Sequence, residues 1–211
     1  MDTADTRRRL QKLQQEVSEL ERVIAREETT ADWPPRGFYS AYYATTGFLL
    51  GGAGALASLL ANVFAAPLAG KSPLELIKVY LTFPFGARAL DMQTGGGLIL
   101  ALGCTLYIAT GMLLGVPMYW VMARVLGRSA GLGKRLIVAS VLALALYAIN
   151  FHVLLSWLQP LLIGGNWITD PTILPPWVAA ATHLVFGWTL AVLYPLGQFT
   201  PYQPPRVAPP G

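Results

Sequence analysis

The chain has 211 residues, of which 54% are hydrophobic and only 12% are charged. This composition is typical of a polytopic membrane protein and excludes a large soluble domain beside the apolar stretches. The 15 lysines and arginines outnumber the 11 acidic residues. They lie mainly beside the apolar stretches, as membrane topology requires, so we expect no nucleic-acid binding.

The first predicted element is an exposed amphipathic helix within residues 1–32. Its apolar residues recur at steps of 3 and 4, which is the spacing of a coiled-coil heptad. The five seam residues are Leu10, Leu13, Val17, Leu20 and Ile24. A helix of so few heptads is marginal alone, so the seam predicts a partner: a different subunit, a second copy of the chain or the membrane surface. The alternative is a helix that lies on the protein's own cytoplasmic face.

Four long apolar stretches without Asp, Glu, Lys or Arg follow this helix. They cover about residues 37–64, 97–122, 136–163 and 177–199. Each exceeds the ~20 residues that a helix needs to cross about 30 Å of hydrocarbon. We therefore predict an all-α integral membrane protein in which residues 33–199 form a bundle of four transmembrane helices.

Small residues within two of these spans predict close helix packing. The first span contains Gly47-x-x-x-Gly51 and the second contains Gly111-x-x-x-Gly115. Such pairs let helix backbones approach where lipid supplies no hydrophobic drive. The motifs do not say whether the neighbouring helix belongs to the same chain.

The loop after the first span contains a predicted short helix at about residues 73–83. Ser72 and Glu75 form a capping-box pattern at its start, and Pro84 and Gly86 predict its end. Its predicted polar face consists of Glu75, Lys78 and Thr82. We expect this helix to lie in the outer membrane interface. Three roles stay open: a lid over the bundle mouth, a docking surface for an extracytoplasmic partner, or one wall of a lipid or quinone pocket.

Charge and aromatic residues predict the orientation. Twelve lysines and arginines lie in the N-terminal segment, the loop after the second span and the C-terminal tail, whereas three lie in the loop after the first span. Both termini are therefore predicted to be cytoplasmic, and we expect a bacterial inner membrane. Predicted aromatic belts consist of Tyr42, Tyr43, Tyr119, Trp120 and Tyr194 at one face and Trp157 and Trp177 at the other. The proline-rich tail, residues 200–211, is predicted to be extended and to contact other subunits.

Two histidines are the candidates for cofactor chemistry. His152 in the third span and His183 in the fourth are predicted at similar depth on neighbouring antiparallel helices. Such a pair fits the ligation of a b-type haem or a chlorin magnesium. The alternative is that each imidazole bonds a nearby polar group or a backbone carbonyl. Cys104, the one cysteine, forms no internal disulfide or redox pair.

These observations favour a non-catalytic accessory subunit of a larger membrane complex, of the respiratory or photosynthetic kind, without a cofactor. It would contact other subunits through the N-terminal helix, the outer helix and the tail. One alternative is a haem- or chlorin-binding electron-transfer subunit that uses His152 and His183. Another is a small transporter or channel, which the spacing of polar residues in the spans disfavours. These residues are predicted to occur singly: Asn62, Thr105, Tyr107, Thr110, Asn150 and Thr189.

Overall fold

The computed structural model describes residues 3–30, 36–92, 97–127 and 129–199. The predicted proline-rich tail, residues 200–211, lies outside these ranges. The chain divides into two compact units, Met1–Tyr39 and Ser40–Gly211. The first unit is built on one helix, α1 (Thr3–Thr30).

The described residues of the second unit form helices joined by turns and loops, with no strand among them. Its helices are α2 (Arg36–Ala65, which begins in the first unit), α3 (Glu75–Phe85), α4 (Arg88–Asp91), α5 (Gly97–Val125), α6 (Leu132–Ala148), α7 (Leu155–Ile163) and α8 (Pro176–Leu193). Short 3₁₀ turns follow α2 at Ala66–Ala69 and α8 at Tyr194–Gly197. A wider π turn, Ile149–Leu154, joins α6 to α7.

In the described part of the chain, four helices are long and apolar enough to cross a membrane. They are Tyr39–Leu68, Gly97–Val125, Leu132–Ile163 and Pro176–Gly197, and at most 33% of the most apolar window of each is buried. Large apolar side chains such as Leu113 and Ile137 are 65% and 69% exposed. Exposed apolar surface of this extent is typical of a protein that faces lipid or a partner. The predicted helical fold class and the four long apolar helices are confirmed.

The α2 and α5 helices cross where their glycine motifs meet. Gly47 and Gly51 of α2 lie directly against Gly111 and Gly115 of α5. A Cβ atom on Gly51 would lie only 2.9 Å from the Cα of Gly115. The backbones reach this separation because neither residue carries a side chain. The predicted close packing is therefore confirmed, and its partner is a helix of the same chain.

The α8 helix packs against α2, α5 and α6. Gly54 of α2 faces Phe186 and Leu190 of α8, and Gly187 of α8 faces Ala139 and Ala143 of α6. Each contact places a glycine against larger side chains of the neighbouring helix, which brings the helix axes close. As a result, one side of α8 is buried inside the bundle.

Two tyrosines that were predicted in an aromatic belt are buried instead. Tyr119 and Tyr194 are 0% and 1% exposed. The Tyr119 hydroxyl donates to the carbonyl of Tyr194 at 2.8 Å, and the Tyr194 hydroxyl donates to the carbonyl of Leu126 at 2.9 Å. The last turns of helices leave carbonyls unpaired, and these phenols satisfy two of them. The belt prediction is wrong for both residues because they tie the end of α5 to the end of α8.

The third candidate span is not a regular α-helix. Within the π turn, the Leu155 N–H donates to the carbonyl of Asn150. A π turn adds one residue and rotates all later side chains by about 100° relative to a regular helix. His152 lies in this turn, so its direction differs from the one that a regular helix predicts.

The short helix α3 begins and ends differently from its prediction. It begins at Glu75 with Leu74 in the N-cap position, and no side chain caps it. The predicted capping box is wrong because the Glu75 N–H donates to the backbone carbonyl of Ser72 at 3.0 Å, within a turn. The helix includes Pro84 and ends at Phe85, and the next residue, Gly86, has a φ of 60°. Glycine adopts a positive φ of this kind without a Cβ penalty.

The predicted polar face of α3 is also wrong at Thr82, which is fully buried. The Gln159 amide of α7 donates to the Thr82 hydroxyl at 2.9 Å, and its oxygen accepts the Ile168 N–H at 2.9 Å. Thr82 in turn donates to the Val79 carbonyl at 2.5 Å. Buried polar groups require such partners. In this way α7 and the following loop cover α3, which an isolated interfacial helix would not require.

Candidate functional site

An apolar cavity of about 380 Å³ lies between the end of α2, the start of α3 and the start of α8. Its volume is within the roughly 300–1,000 Å³ that is usual for small-molecule sites. Most of the wall consists of apolar side chains: Ala61, Ala65, Ala66, Leu76, Val79, Ile173, Leu174, Val178, Ala181 and Val185. Lys71 and Glu75 line its α3 side, and Trp177 lines its α8 side. The α3 helix thus forms one wall of an apolar cavity.

A hydrogen-bonded polar pair lies on this apolar wall. The amide nitrogen of Asn62 in α2 donates to the Thr182 hydroxyl of α8 at 2.9 Å and to the Ser58 carbonyl at 2.8 Å. The Thr182 hydroxyl donates to the Val178 carbonyl at 2.7 Å. This pair joins α2 to α8 and places an amide oxygen and a hydroxyl oxygen beside the cavity.

A second polar pair joins α2 to α5. The hydroxyls of Ser58 and Tyr107 are 2.8 Å apart, and the Tyr107 ring packs on Tyr80 of α3 with ring centroids 4.8 Å apart. Both hydroxyls and His183 line a small cavity of about 40 Å³ beside the first one. The volume is that of a water-sized space rather than of an organic cofactor.

The structure places the two histidines in different surroundings. His183 is partly buried, and its Nδ1 lies 2.8 Å from the Ala179 carbonyl. His152 is exposed. The Tyr147 ring contacts both imidazoles, with centroid distances of 5.6 Å to His152 and 5.7 Å to His183. The backbone bond of His183 is the kind that the alternative to haem ligation predicts. Haem or chlorin binding by this pair stays a prediction.

The loop between α7 and α8 forms part of the main cavity's wall. The Asp170 carboxylate accepts the Thr172 hydroxyl at 2.6 Å and the Thr172 N–H at 2.8 Å. These bonds to the charged form lower the pKa of Asp170 below its usual 3.8. The Asp170 backbone carbonyl accepts the N–H groups of Ile173 and Leu174 at 3.1 and 2.9 Å. The turn thereby positions two residues of the cavity wall.

The predicted partner-binding seam lies on a continuous helix. Leu10, Leu13, Val17, Leu20 and Ile24 of α1 are each 53% to 61% exposed. Val23, which the heptad pattern omits, is also 53% exposed. Every described side chain of α1, from residue 7 to residue 24, is exposed, and this range contains all five seam residues.

The described residues contain no group of three or more His, Cys, Asp or Glu side chains that is able to hold a metal ion. Cys104 is a free, half-buried thiol. The part of the chain seen in the structure therefore offers an apolar cavity and an exposed helix as its candidate sites.

Sequence reasoning missed the two polar pairs. Asn62 and Tyr107 were predicted to occur singly, yet they pair with Thr182 and Ser58, which are 120 and 49 residues away. Their common signal in the sequence is weak. Each is a polar residue within an otherwise apolar span, and partners in different spans become neighbours only through the helix crossing angles.

No protein-family model, no curated protein and no solved structure matches this chain.

Proposed function

We propose that this chain is a non-catalytic accessory subunit of a larger membrane complex, anchored by its four long apolar helices and attached to its partner through α1. The observation that carries the proposal is the exposed seam of α1, whose five apolar residues are each more than half exposed, at 53% to 61%. A helix in water does not keep such a stripe uncovered without cost. A partner helix would cover it.

The energetics explain why a membrane anchor accompanies this short seam. Full burial of one Leu, Ile or Val side chain contributes about 1.5–3 kcal/mol. Association itself costs an estimated 4–15 kcal/mol in lost translational and rotational freedom. The net affinity of a seam this short is therefore modest. Confinement of both partners to one membrane raises their effective concentration and compensates for it.

The charges on α1 define the chemistry of the partner. Residues 7–12 carry Arg7, Arg8, Arg9 and Lys12, whereas residues 16–21 carry Glu16, Glu19 and Glu21. In a parallel pair of identical helices, Glu16 at position g would face Glu21 at position e, which is repulsive. The fitting partner presents acidic groups to the first half of α1 and basic groups to the second. We assign this role to a different subunit, and an antiparallel second copy meets the same requirement.

The orientation belongs to the same proposal. The unequal distribution of basic residues, twelve against three, supports cytoplasmic termini by the positive-inside rule. α1 would then meet its partner on the cytoplasmic side, and the bacterial inner membrane is the membrane that we propose. A respiratory or photosynthetic assembly is the class of complex in which we place the chain.

The test is mild-detergent extraction of the native protein, followed by native mass and identification of stoichiometric partners. We expect a large particle that loses this chain when Leu13 and Leu20 are both changed to Asn. The matched control changes Gln11 and Gln15 to Asn, because these exposed residues of α1 lie off the seam. Retention of the complex by the seam variant, or a small particle of this chain alone, would refute the proposal. A visible absorption spectrum of the same particle tests the haem or chlorin alternative.

A further inference from the structure

The cavity between α2, α3 and α8 contains a polar group that apolar packing does not require. Asn62 lies on its wall among alanines and valines. Both protons of the Asn62 amide nitrogen have partners, the Ser58 carbonyl at 2.8 Å and the Thr182 hydroxyl at 2.9 Å. A carbonyl only accepts, so the contact with Ser58 assigns the nitrogen to this position.

The amide oxygen of Asn62 is the part of this side chain that can still accept a hydrogen bond. The Thr182 hydroxyl donates to it only over a long oxygen–oxygen distance of 3.3 Å, because the same hydroxyl makes a shorter bond, of 2.7 Å, to the Val178 carbonyl. An amide oxygen has two lone pairs. The long bond from Thr182 uses at most one of them, so a ligand O–H can donate to the other and complete the hydrogen bonding of this partly buried oxygen.

We propose that this cavity binds an apolar molecule that carries a hydroxyl group, a long-chain alcohol or a phenol, whose O–H donates to the amide oxygen of Asn62. The apolar body of the ligand fills the space beside Val79, Ala181 and Val185. A carboxylate or phosphate head does not fit at Asn62, because it would bring oxygen lone pairs against an acceptor. The same site accepts an aliphatic alcohol from a lipid or the phenol of a reduced quinone.

Trp177 lines the cavity and provides the signal for a test. The full chain in lipid vesicles is titrated with 11-bromoundecan-1-ol, with a long-chain bromophenol and with the methyl ether of the bromoalcohol. Bromine quenches tryptophan fluorescence on contact, and partition into the bilayer gives a quenching that does not saturate. We expect each hydroxyl probe that binds to add a saturable component that disappears in Trp177→Phe.

Three further comparisons test separately the hydrogen bond from the ligand to Asn62 and the space that the cavity offers. The ether should bind about tenfold more weakly than the alcohol, which corresponds to about 1.4 kcal/mol. Asn62→Leu should remove this preference. Ala181→Phe should abolish saturable quenching by filling the cavity, whereas Val192→Phe should not, because Val192 is an exposed α8 residue outside the lining.

The outcomes separate the possible sources of the ligand. Saturable binding of the alcohol alone supports a lipid alcohol, and binding of the phenol alone supports a reduced quinone. Equal binding of alcohol and ether by the native chain would overturn the role of Asn62 without needing any variant. Quenching without a saturable component for either hydroxyl probe would overturn the site. Neither result bears on α1, so failure here is distinguishable from failure of the proposed partner subunit.

Discussion

The Asp170 carboxylate stabilises a turn in the loop that forms one wall of the cavity. Its hydrogen bonds depend on its negative charge. Its carboxylate accepts two hydrogen bonds from Thr172, and its pKa is lowered by them. A group whose folded pKa lies below its unfolded value stabilises the fold above the unfolded pKa. That contribution is lost as the pH falls through the folded pKa.

We therefore predict that the loop of residues 164–175 loosens only when the pH falls below the usual Asp value of 3.8. The measurement is the carboxyl chemical shift of Asp170, together with protease cleavage of this loop, as a function of pH. Asp170→Asn should remove the acid transition in this loop and leave the rest unchanged. A carboxyl that titrates at or above 3.8 would contradict the bonding that the structure assigns.

Gly115 is the glycine at which a single methyl group should matter. A Cβ atom there would lie 2.6 Å from the Cα of Gly51, a backbone atom that cannot rotate away. We predict that Gly115→Ala destabilises the chain by about 1–3 kcal/mol, the usual cost of overpacking. Thermal unfolding in detergent measures this change.

The control for this prediction is Gly133→Ala in α6, where nothing lies within 4 Å of the added methyl group. Alanine favours a helix interior by up to about 1 kcal/mol, a gain that opposes the predicted loss at Gly115 and leaves Gly133→Ala, in the first turn of α6, neutral or slightly stabilising. Equal stability of the two variants would mean that α2 and α5 do not cross at these glycines.

At the scale of elements, α3 is held against the bundle by a hydrogen bond from α7. Gln159 bonds both Thr82 of α3 and the backbone N–H of Ile168. We predict that Gln159→Leu leaves the buried Ile168 N–H without an acceptor, at a cost of about 1–3 kcal/mol. Faster hydrogen exchange of the Ile168 amide and a lower unfolding temperature are the expected results.

Ser156→Ala is the matched control for Gln159, one turn earlier on α7. The Ser156 hydroxyl bonds only within its own helix turn, to the His152 carbonyl at 3.0 Å, and it is exposed. We expect unchanged exchange at Ile168 in this variant. If Gln159→Leu behaves like Ser156→Ala, then α3 is held by apolar contacts alone.

For the whole molecule, the distribution of charge predicts the membrane topology. We expect single cysteines at Gln15→Cys and Ser129→Cys, in a Cys104→Ser background, to react with an impermeant maleimide from the cytoplasmic side only. Thr172→Cys, in the loop before α8, should react from the opposite side only. All three positions are exposed. Labelling of Ser129→Cys and Thr172→Cys from the same side would contradict four spans.

Much of the element order was predictable from the sequence because hydrophobicity and the absence of charge are local properties. The four apolar helices end within four residues of their predicted limits. The α1 seam was predictable for the same reason, since its heptad spacing lies within one helix. The glycine motifs predicted close packing, and the structure supplied the partner.

The tertiary structure alone decided which residues meet. A helix that is apolar all round has no stripe that identifies its inner face, so the sequence could not predict the pairing of Asn62 with Thr182 or of Ser58 with Tyr107. The burial of Thr82 depends on Gln159, which lies 77 residues later. The π turn at His152 changed the phase of the third span. These features depend on helix rotation and crossing, to which distant parts of the chain contribute together. One of them, the pairing of Asn62 with Thr182, lies on the wall of the cavity that we propose as a binding site.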